Sequence, residues 1–188
     1  MSSYFSFHKD YFDNNGDQGN LSVLNYFLSQ QSVLFDEVTD PDSADFVIVG
    51  DASRAALREY GTELLALAPA LQKRHSAGLA TLIIGSSYEF LASQVSWLET
   101  PKLGPITSEF RTVDTLDAGP IVGYRNSSLL NLDFVRNGDF VGTTLFGPIL
   151  AKNPTLLDQM LLACGGSSAD WKPQMLDWVE TIRESISK

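Results

Sequence analysis

Residues 81–91 read TLIIGSSYEFL, a short apolar run followed by a turn of small residues and a segment with a helical pattern. The apolar run begins at residue 79 and ends at Ile84, and such a continuous run is typical of a strand buried on both faces of a sheet. Gly85 closes the strand, and Tyr88 begins the predicted helix. This strand, tight turn and helix are the most informative local arrangement in the chain.

Short apolar runs alternate with helical patterns on the N-terminal side of this stretch as well. The other predicted strands are residues 4–7, 32–35 and Phe46–Val49, the last ended by Gly50. The predicted helices are residues 20–29 with Asn20 as cap, residues 53–66, and a further turn after Pro69 that ends at Gly78. The alternation predicts an α/β fold with three layers, a mostly parallel open sheet and helices on both faces.

The C-terminal half is less regular until its last two helices. Residues 97–139 suggest short strands such as 121–124, with turns at Gly119-Pro120 and Asn137-Gly138. Helices are predicted at 155–163 and from Trp171 to about Ser187. The last helix places apolar residues on one stripe: Met175, Trp178, Val179, Ile182 and Ile186. Without a repeat or linker, residues 1–188 are predicted to form a single domain.

Composition excludes several classes of partner. The 188 residues include 44% hydrophobic and 11% aromatic residues, as in an ordinary globular protein, and carry a formal net charge of -10. Nucleic acid and anionic membrane surfaces would repel that charge. The chain has one cysteine, no basic and apolar leader, and no apolar run long enough for a membrane span. We therefore expect a cytoplasmic protein without membrane insertion.

Four collinear stretches carry a resemblance to a known family. They are the Asp17-x-Gly19-Asn20 turn with Leu24, the run ADFVIVG at 44–50 with Arg58-Glu59, the stretch 81–91, and GTTLFGPIL at 142–150. Together they resemble class I glutamine amidotransferases of the CobB/CobQ type. More narrowly, they resemble GatD, the amidotransferase subunit of lipid II isoglutaminyl synthase. The resemblance implies a flavodoxin-like α/β fold with the stretch 81–91 as nucleophile elbow.

The resemblance also marks where this chain departs from active members. Active members read Cys-Gly-Gly-Tyr-Gln-Phe-Leu at the elbow and Gly-Thr-Tyr-Leu-His-Gly-Pro-Ile-Leu at the later stretch. Gly85 therefore stands at the nucleophile position and Phe146 at the histidine position. Glu89 replaces the usual glutamine, and Arg125 begins the segment that is usually Glu-x-His. Since the cysteine attacks the amide and the histidine moves the proton, no catalytic residue is expected.

Relocated chemistry is the alternative, with Ser86 as the fallback nucleophile. A serine needs an adjacent base, and the only histidines are His8, near the carboxyl edge of the sheet, and His75, at the opposite edge. We favour a structural or solvated role for both histidines, and helix capping for Ser86 and Ser87. Cys164 in a late helix is interpreted as a small buried hydrophobe.

The former glutamine pocket supplies the remaining candidate ligand-binding residues. They are Asp17, Gly19, Asn20, Gly50, Asp51, Ser86, Ser87, Tyr88 and Arg125. The acidic and amide residues of the loop 10–20 have oxygens that could suit calcium, but the loop lacks the bidentate glutamate of an EF-hand, so an Asx-rich turn is favoured. Asp51-Ala52-Ser53 is interpreted as a helix N-terminal cap. We expect neither a metal nor a cofactor.

These observations support two hypotheses for function. The first is a degenerate amidotransferase-like subunit that still pairs with a Mur-ligase-like synthetase (MurT in the GatD case) in the amidation of lipid II, a cell-wall precursor. The resemblance leaves a cobalamin-type pathway open, and self-association is undetermined. The second is an enzyme or small-molecule binder with relocated chemistry at the old pocket. Glutamine turnover or a copurifying ligase would discriminate between them.

Overall fold

A six-stranded sheet forms the centre of the molecule in the computed structural model, which describes residues 1–186. The strands are β1 Ser2–Ser6, β2 Phe35–Glu37, β3 Phe46–Val49, β4 Thr81–Ile84, β5 Leu103–Thr115, β6 Gly119–Leu129, β7 Phe134–Asn137, β8 Phe140–Thr143 and β9 Leu145–Phe146. The central order is β2-β1-β3-β4-β8-β7, and only the β7–β8 pair is antiparallel. The predicted α/β class with a mostly parallel sheet is confirmed.

Helices cover both faces of this sheet. They are α1 Gly19–Gln30, α2 Arg54–Ala66, α3 Ala68–Ala77, α4 Gly85–Gln94, α5 Ile149–Lys152, α6 Pro154–Ala163 and α7 Pro173–Ile186. Because successive strand residues point to opposite faces, Phe46 and Ile48 join the core beneath α1 and α6, whereas Val47 and Val49 join the core beneath α2, α3 and α4. The strands β3 and β4 are thus buried on both sides, as their apolar runs predict.

A second, antiparallel sheet of order β5-β6-β9 lies beyond the central one along the chain. Its main part is a long hairpin of β5 and β6, where the sequence predicted only short strands such as 121–124. That prediction was wrong because outward residues of the hairpin are polar or isolated, so no apolar run marks them. Gly119-Pro120 opens β6 rather than forming the turn, whereas Asn137-Gly138 does turn between β7 and β8.

Two local predictions in the N-terminal region were also wrong. Helix α1 begins at Gly19 with Gln18 as its N-cap and without a side-chain cap, so Asn20 does not cap it. Asn20 is fully buried, and its side chain instead joins α1 to the segment before α5. Residues 31–32 form a turn, so the extended segment predicted at 32–35 begins as strand only at Phe35.

Helix α7 buries only part of its predicted apolar stripe. Val179 is buried and Met175 packs against the core, but Trp178 is 73% exposed and Ile182 is 46% exposed. The side chain of Ile186 and the predicted helix end at Ser187 lie outside what the structure describes. Among residues 1–186, no helix combines the length and the apolar character needed to cross a membrane.

Candidate functional site

The connection from β4 to α4 forms a sharp elbow at the carboxyl edge of the central sheet. Gly85 has a φ of 63°, in the left-handed region that favours glycine. A Cβ atom placed on it would lie 2.4 Å from Asp51 Oδ1 and 2.4 Å from Phe146 Cε1. The fold therefore brings the two predicted degenerate positions, Gly85 and Phe146, into direct contact, and it fills the space where a side chain on residue 85 would point.

Asp51 is the central side chain of this site. It follows β3, is 3% exposed, and receives hydrogen bonds on both carboxylate oxygens. Oδ1 accepts from the backbone N–H of Ser86 at 2.8 Å, and Oδ2 accepts from the side-chain amides of Asn14 at 3.1 Å and Asn15 at 2.7 Å. The carboxylate thus lies against the N-terminal turn of α4, where unpaired N–H groups favour a negative charge.

The predicted capping roles are redistributed among these residues. Ser53 caps α2 by accepting from Ala56 N at 3.1 Å, as expected. Asp51, predicted to belong to that cap, binds the start of α4 instead. Ser86 and Ser87 do not cap α4, because the helix already begins at Gly85 and its N-cap residue makes no side-chain bond.

The two serine hydroxyls are engaged by the neighbouring strand end. Ser86 Oγ lies 2.6 Å from Asp51 Oδ1 and 2.5 Å from the carbonyl oxygen of Ala52, so its single proton has two acceptors. Ser87 is fully buried and donates to the carbonyl oxygen of Gly50 at 2.7 Å. These bonds join the loop after β3 to the first turn of α4.

Neither histidine accompanies Ser86. His8 Nε2 lies 2.8 Å from Glu63 Oε2, and the imidazole packs on the ring of Tyr60 with centroids 4.3 Å apart. His75, near the end of α3, packs against Trp97 and Phe140, and burial lowers its pKa. Ser86 therefore has a carboxylate neighbour but no imidazole to act as its base.

Cys164 provides no alternative nucleophile. It is buried, and burial raises the pKa of its thiol to about 12. Since the thiolate is the reactive form, a thiol with so high a pKa is inert near neutral pH. The interpretation of Cys164 as a small buried hydrophobe agrees with this placement.

Asp17 connects three segments behind the elbow. Its Oδ2 accepts from Asp51 N at 2.8 Å and its Oδ1 accepts from Gly147 N at 2.9 Å. Burial, together with the nearby charge of Asp51, raises the pKa of Asp17 to about 6, although the two backbone bonds act in the opposite direction. Asp17 therefore supports the site from behind, and the structure places it away from the open cleft.

The glycines among the predicted pocket residues also serve close packing. A Cβ on Gly50 would lie 2.1 Å from the carbonyl oxygen of Phe12, and one on Gly19 would lie 2.9 Å from Pro148 Cβ. Asn20 accepts from Leu150 N at 2.9 Å, next to this contact. These three residues hold the loop before α1 against the strand ends and the segment that precedes α5.

An open cleft of about 310 Å³ lies in front of the elbow. Its lining includes Asp51, Ser86, Glu89 and Phe146 from the central part of the fold, and Asn126 and Ser127 from β6. A second cleft of about 570 Å³, between α4 and the start of β5, shares Ser86 and Glu89 with it. Burial raises the pKa of Glu89, while Ser127 and Arg125 lower it.

Two predicted pocket residues lie outside the lining of this cleft. Tyr88 is fully buried, and its ring fills the space beside Gly142, where an added Cβ would lie 2.2 Å from Tyr88 Cε2. Arg125 is 3% exposed, and its Nε donates to Asp133 Oδ1 at 2.6 Å while its other nitrogens bind Leu129 O and Thr107 Oγ1. Both side chains stabilise packing.

The acidic loop before α1 is held by its own hydrogen bonds. Asp13 Oδ1 accepts from Gln18 N at 2.8 Å, and the amides of Asn14 and Asn15 both donate to Asp51. Across residues 1–186, no group of three or more histidine, cysteine, aspartate or glutamate side chains is arranged to hold a metal ion.

Sequence reasoning missed the roles of Asp51, Glu89 and Asp133. Asp51 and Ser86 each follow an apolar run, and the carboxyl ends of neighbouring parallel strands meet at one edge of a sheet, so their proximity was a detectable signal. The pairing of Arg125 with Asp133 had no such signal, because it depends on how the hairpin folds against the sheet.

The fold and the site define a three-layer α/β protein with a strand–turn–helix elbow at the carboxyl edge of its sheet. No family model matches the chain, and no curated protein sequence matches it. Among solved structures, it is similar to a glutamine amidotransferase, with 19% identity, coverage of 86% of this chain and 98% of that chain, and a TM-score of 0.47. It is also similar to a putative GMP synthase component from Thermoplasma acidophilum, with 14% identity, coverage of 88% of this chain and 94% of that chain, and a TM-score of 0.47.

Proposed function

We propose that this chain is a catalytically inactive relative of the class I glutamine amidotransferases that acts as a binding or regulatory subunit. Its partner is a Mur-ligase-like synthetase, similar to MurT, in the amidation of the cell-wall precursor lipid II. The proposal rests on the four collinear stretches that resemble GatD and on the geometry of the elbow. Enzymes with a nucleophile elbow hold the nucleophile on a strained strand-to-helix turn. Gly85 adopts that kind of turn without a side chain.

The observation that carries the proposal is the filled space around Gly85. Amide hydrolysis by this family needs a thiolate, a proton-transfer group and free N–H groups for the oxyanion. Residue 85 has no side chain, and Phe146 carries no proton-transfer group. The backbone N–H of Ser86, the group following the elbow, is already bound to Asp51 Oδ1 at 2.8 Å. All three requirements are therefore unmet at this site.

The partner follows from the resemblance and from surface chemistry. GatD-like subunits hand ammonia to a ligase, and a domain that has lost the chemistry can retain the docking role. A net charge of -10 favours a partner with a basic patch over nucleic acid or an anionic membrane. Such a subunit would stabilise or regulate the ligase, which would then use free ammonia.

A second candidate function is small-molecule binding in the two joined clefts. Their volumes of about 310 and 570 Å³ lie in the range of small-ligand sites, and both include Ser86 and Glu89. Relocated catalysis by Ser86 is less favoured, because its hydroxyl lies between Asp51 and the carbonyl of Ala52, with no imidazole beside it. Among the alternatives, a binder is therefore more consistent with the site than an enzyme.

The test combines capture and turnover. The tagged chain is purified from its native lysate and bound proteins are identified by mass spectrometry, while ammonia release from glutamine is measured on the pure chain. We expect a Mur-ligase-like ATP-dependent enzyme in near-equal amount and no ammonia. Recovery of no ligase would contradict the subunit role. Turnover that disappears in Ser86→Ala but persists in Ser29→Ala, an exposed matched control on α1, would establish relocated catalysis.

A further inference from the structure

Strand β5 has one free edge. In the three-stranded sheet it pairs only with β6, and along residues 1–186 no other backbone group hydrogen-bonds to residues 103–115 from another element. The pairing with β6 is regular from Thr107 to Thr115 and irregular before it. Edge strands are usually protected by lysine, proline or a bulge. Residues 107–115 read TSEFRTVDT and contain neither lysine nor proline.

The outward face of this strand carries exposed aromatic surface. Phe110 is 53% exposed and packs edge-on against Tyr124 of β6, with ring centroids 5.2 Å apart. Ile106, nearer the start of the strand, is 67% exposed. A long open edge with aromatic side chains beside it is a ready surface for adding another strand.

We propose that the occupant of this edge is a second copy of the chain, with the two β5 strands pairing antiparallel about a two-fold axis at Phe110. In this register, Glu109 lies opposite Arg111 of the second copy, and Arg111 lies opposite Glu109 of the second copy. Ser108 then lies opposite Thr112, and Thr107 opposite Val113, so the pairing covers the regular part of the strand. An interface of this kind is isologous, as expected for a two-fold dimer.

Charge selects this register over its neighbours. An antiparallel two-fold pairing keeps each face of the sheet on the same side, so the alternatives are displaced by two residues along the strand. One neighbour places Glu109 opposite Glu109 of the second copy, and the other places Arg111 opposite Arg111. Like charges directly opposite each other destabilise a strand pair, whereas opposite charges stabilise it.

The existing contacts already hold the charged groups close to the free edge. Arg111 Nη2 lies 3.2 Å from Glu109 Oε1 of its own chain, and Arg111 also binds Asp133. These bonds restrict the arginine before association, which lowers the entropy cost of pairing. The dimer would join two three-stranded sheets into one of six strands. On its outward face, Tyr124 and Phe110 of each copy would form one aromatic row.

The test is a charge exchange followed by measurement of mass in solution. We expect the wild-type chain to be a dimer at about 100 µM, and Glu109→Arg and Arg111→Glu each to weaken self-association at least about tenfold. An equimolar mixture of the two variants should form a heterodimer, because every arginine at these two positions then faces a glutamate across the interface. Analytical ultracentrifugation gives the masses. Hydrogen exchange should show protected β5 amides in the wild type and in the mixture only.

Controls separate this interface from the effects of charge or misfolding. Glu180→Arg, on the exposed side of α7, makes the same change in net charge as Glu109→Arg and should leave the dimer intact. Circular dichroism confirms that each variant is folded, and the double variant Glu109→Arg/Arg111→Glu should dimerise by itself. A monomeric wild type overturns the proposal. So does a dimer unaffected by Glu109→Arg, or folded single variants that fail to pair in the mixture.

Discussion

Gly85 is constrained in two independent ways. Its φ of 63° penalises any side chain through the backbone, and the carboxylate of Asp51 and the ring of Phe146 occupy the position of a Cβ atom. The first constraint is shared with other glycines in turns, whereas the second is specific to this site. Separating the two shows whether the elbow could be returned to a catalytic form.

The variant Gly85→Cys separates these constraints when it is compared with Gly119→Cys. Gly119 has a φ of 67° and no atom within 4 Å of an added Cβ, so its substitution reports the backbone effect alone. We expect Gly119→Cys to lower the free energy of unfolding by about 1 kcal/mol, and Gly85→Cys by about 2 kcal/mol more, because side chains must move. Denaturant unfolding measures both. Equal losses would contradict a filled elbow.

Asp51 shows what remains inaccessible to sequence reasoning at the scale of a residue. An aspartate just before a helix is ordinarily a capping residue, and the local sequence is consistent with that role. Its actual partners, Ser86 and the amides of Asn14 and Asn15, come from two other segments. Only the packing of β3 beside β4 brings those partners within reach.

At the scale of elements, Arg74 fastens helix α3 to the ends of two neighbouring strands. It is 2% exposed, and its guanidinium donates to backbone carbonyls before β3 and before β4, including Ala44 O at 2.7 Å and Ala80 O at 2.8 Å. Its Nε also donates to Thr81 Oγ1 at 2.9 Å. A planar group with five donors suits this set of acceptors better than an ammonium would.

Replacing Arg74 should therefore loosen the layer that contains α3. We expect Arg74→Met to lower the free energy of unfolding by about 3 kcal/mol or more, because several buried carbonyls lose their donor. Arg74→Lys should recover part of that loss. The matched control is Lys73→Met, whose side chain is 73% exposed and pairs with Asp42, and it should change stability little. Thermal and urea unfolding test the ranking, and similar losses at 73 and 74 would refute it.

The elements themselves differ in how visible they are in the sequence. Strands β3 and β4 are buried on both faces, so each is a continuous apolar run that predicts its own existence. Strands β5 and β6 have one face open to water and alternate polar with apolar residues, which resembles an irregular segment when no core is known. The hairpin was therefore predictable only in its turn-rich composition, and its length was not.

At the scale of the whole molecule, the carboxyl edge of the sheet is closed by one buried acid. Asp17 links the loop before α1, the end of β3 and the segment before α5 through Asp51 N and Gly147 N. The α/β class could be predicted from the alternation of elements, because that pattern repeats along the chain. The closure by Asp17 could not, since its partners are distant in sequence and are backbone groups.

The raised pKa of Asp17 makes global stability depend on pH. Its folded pKa of about 6 exceeds the ordinary value of 3.8, so the folded state holds the proton more tightly than the unfolded state. The resulting stabilisation is complete below the unfolded pKa and is lost as pH rises through the folded pKa. From Asp17 alone, we expect the free energy of unfolding to fall by about 1–3 kcal/mol between about pH 4 and pH 7.

The variant Asp17→Asn isolates this contribution. Asparagine can accept from Gly147 N but presents an amide donor toward Asp51 N, so it should cost about 1–3 kcal/mol at low pH. Because it does not titrate, the difference between wild type and variant should shrink as pH rises across the same range. Taking the difference cancels opposing groups such as His75, whose lowered pKa gives the opposite slope. A difference that stays constant over this range would show that Asp17 titrates in the folded protein as it does in the unfolded chain.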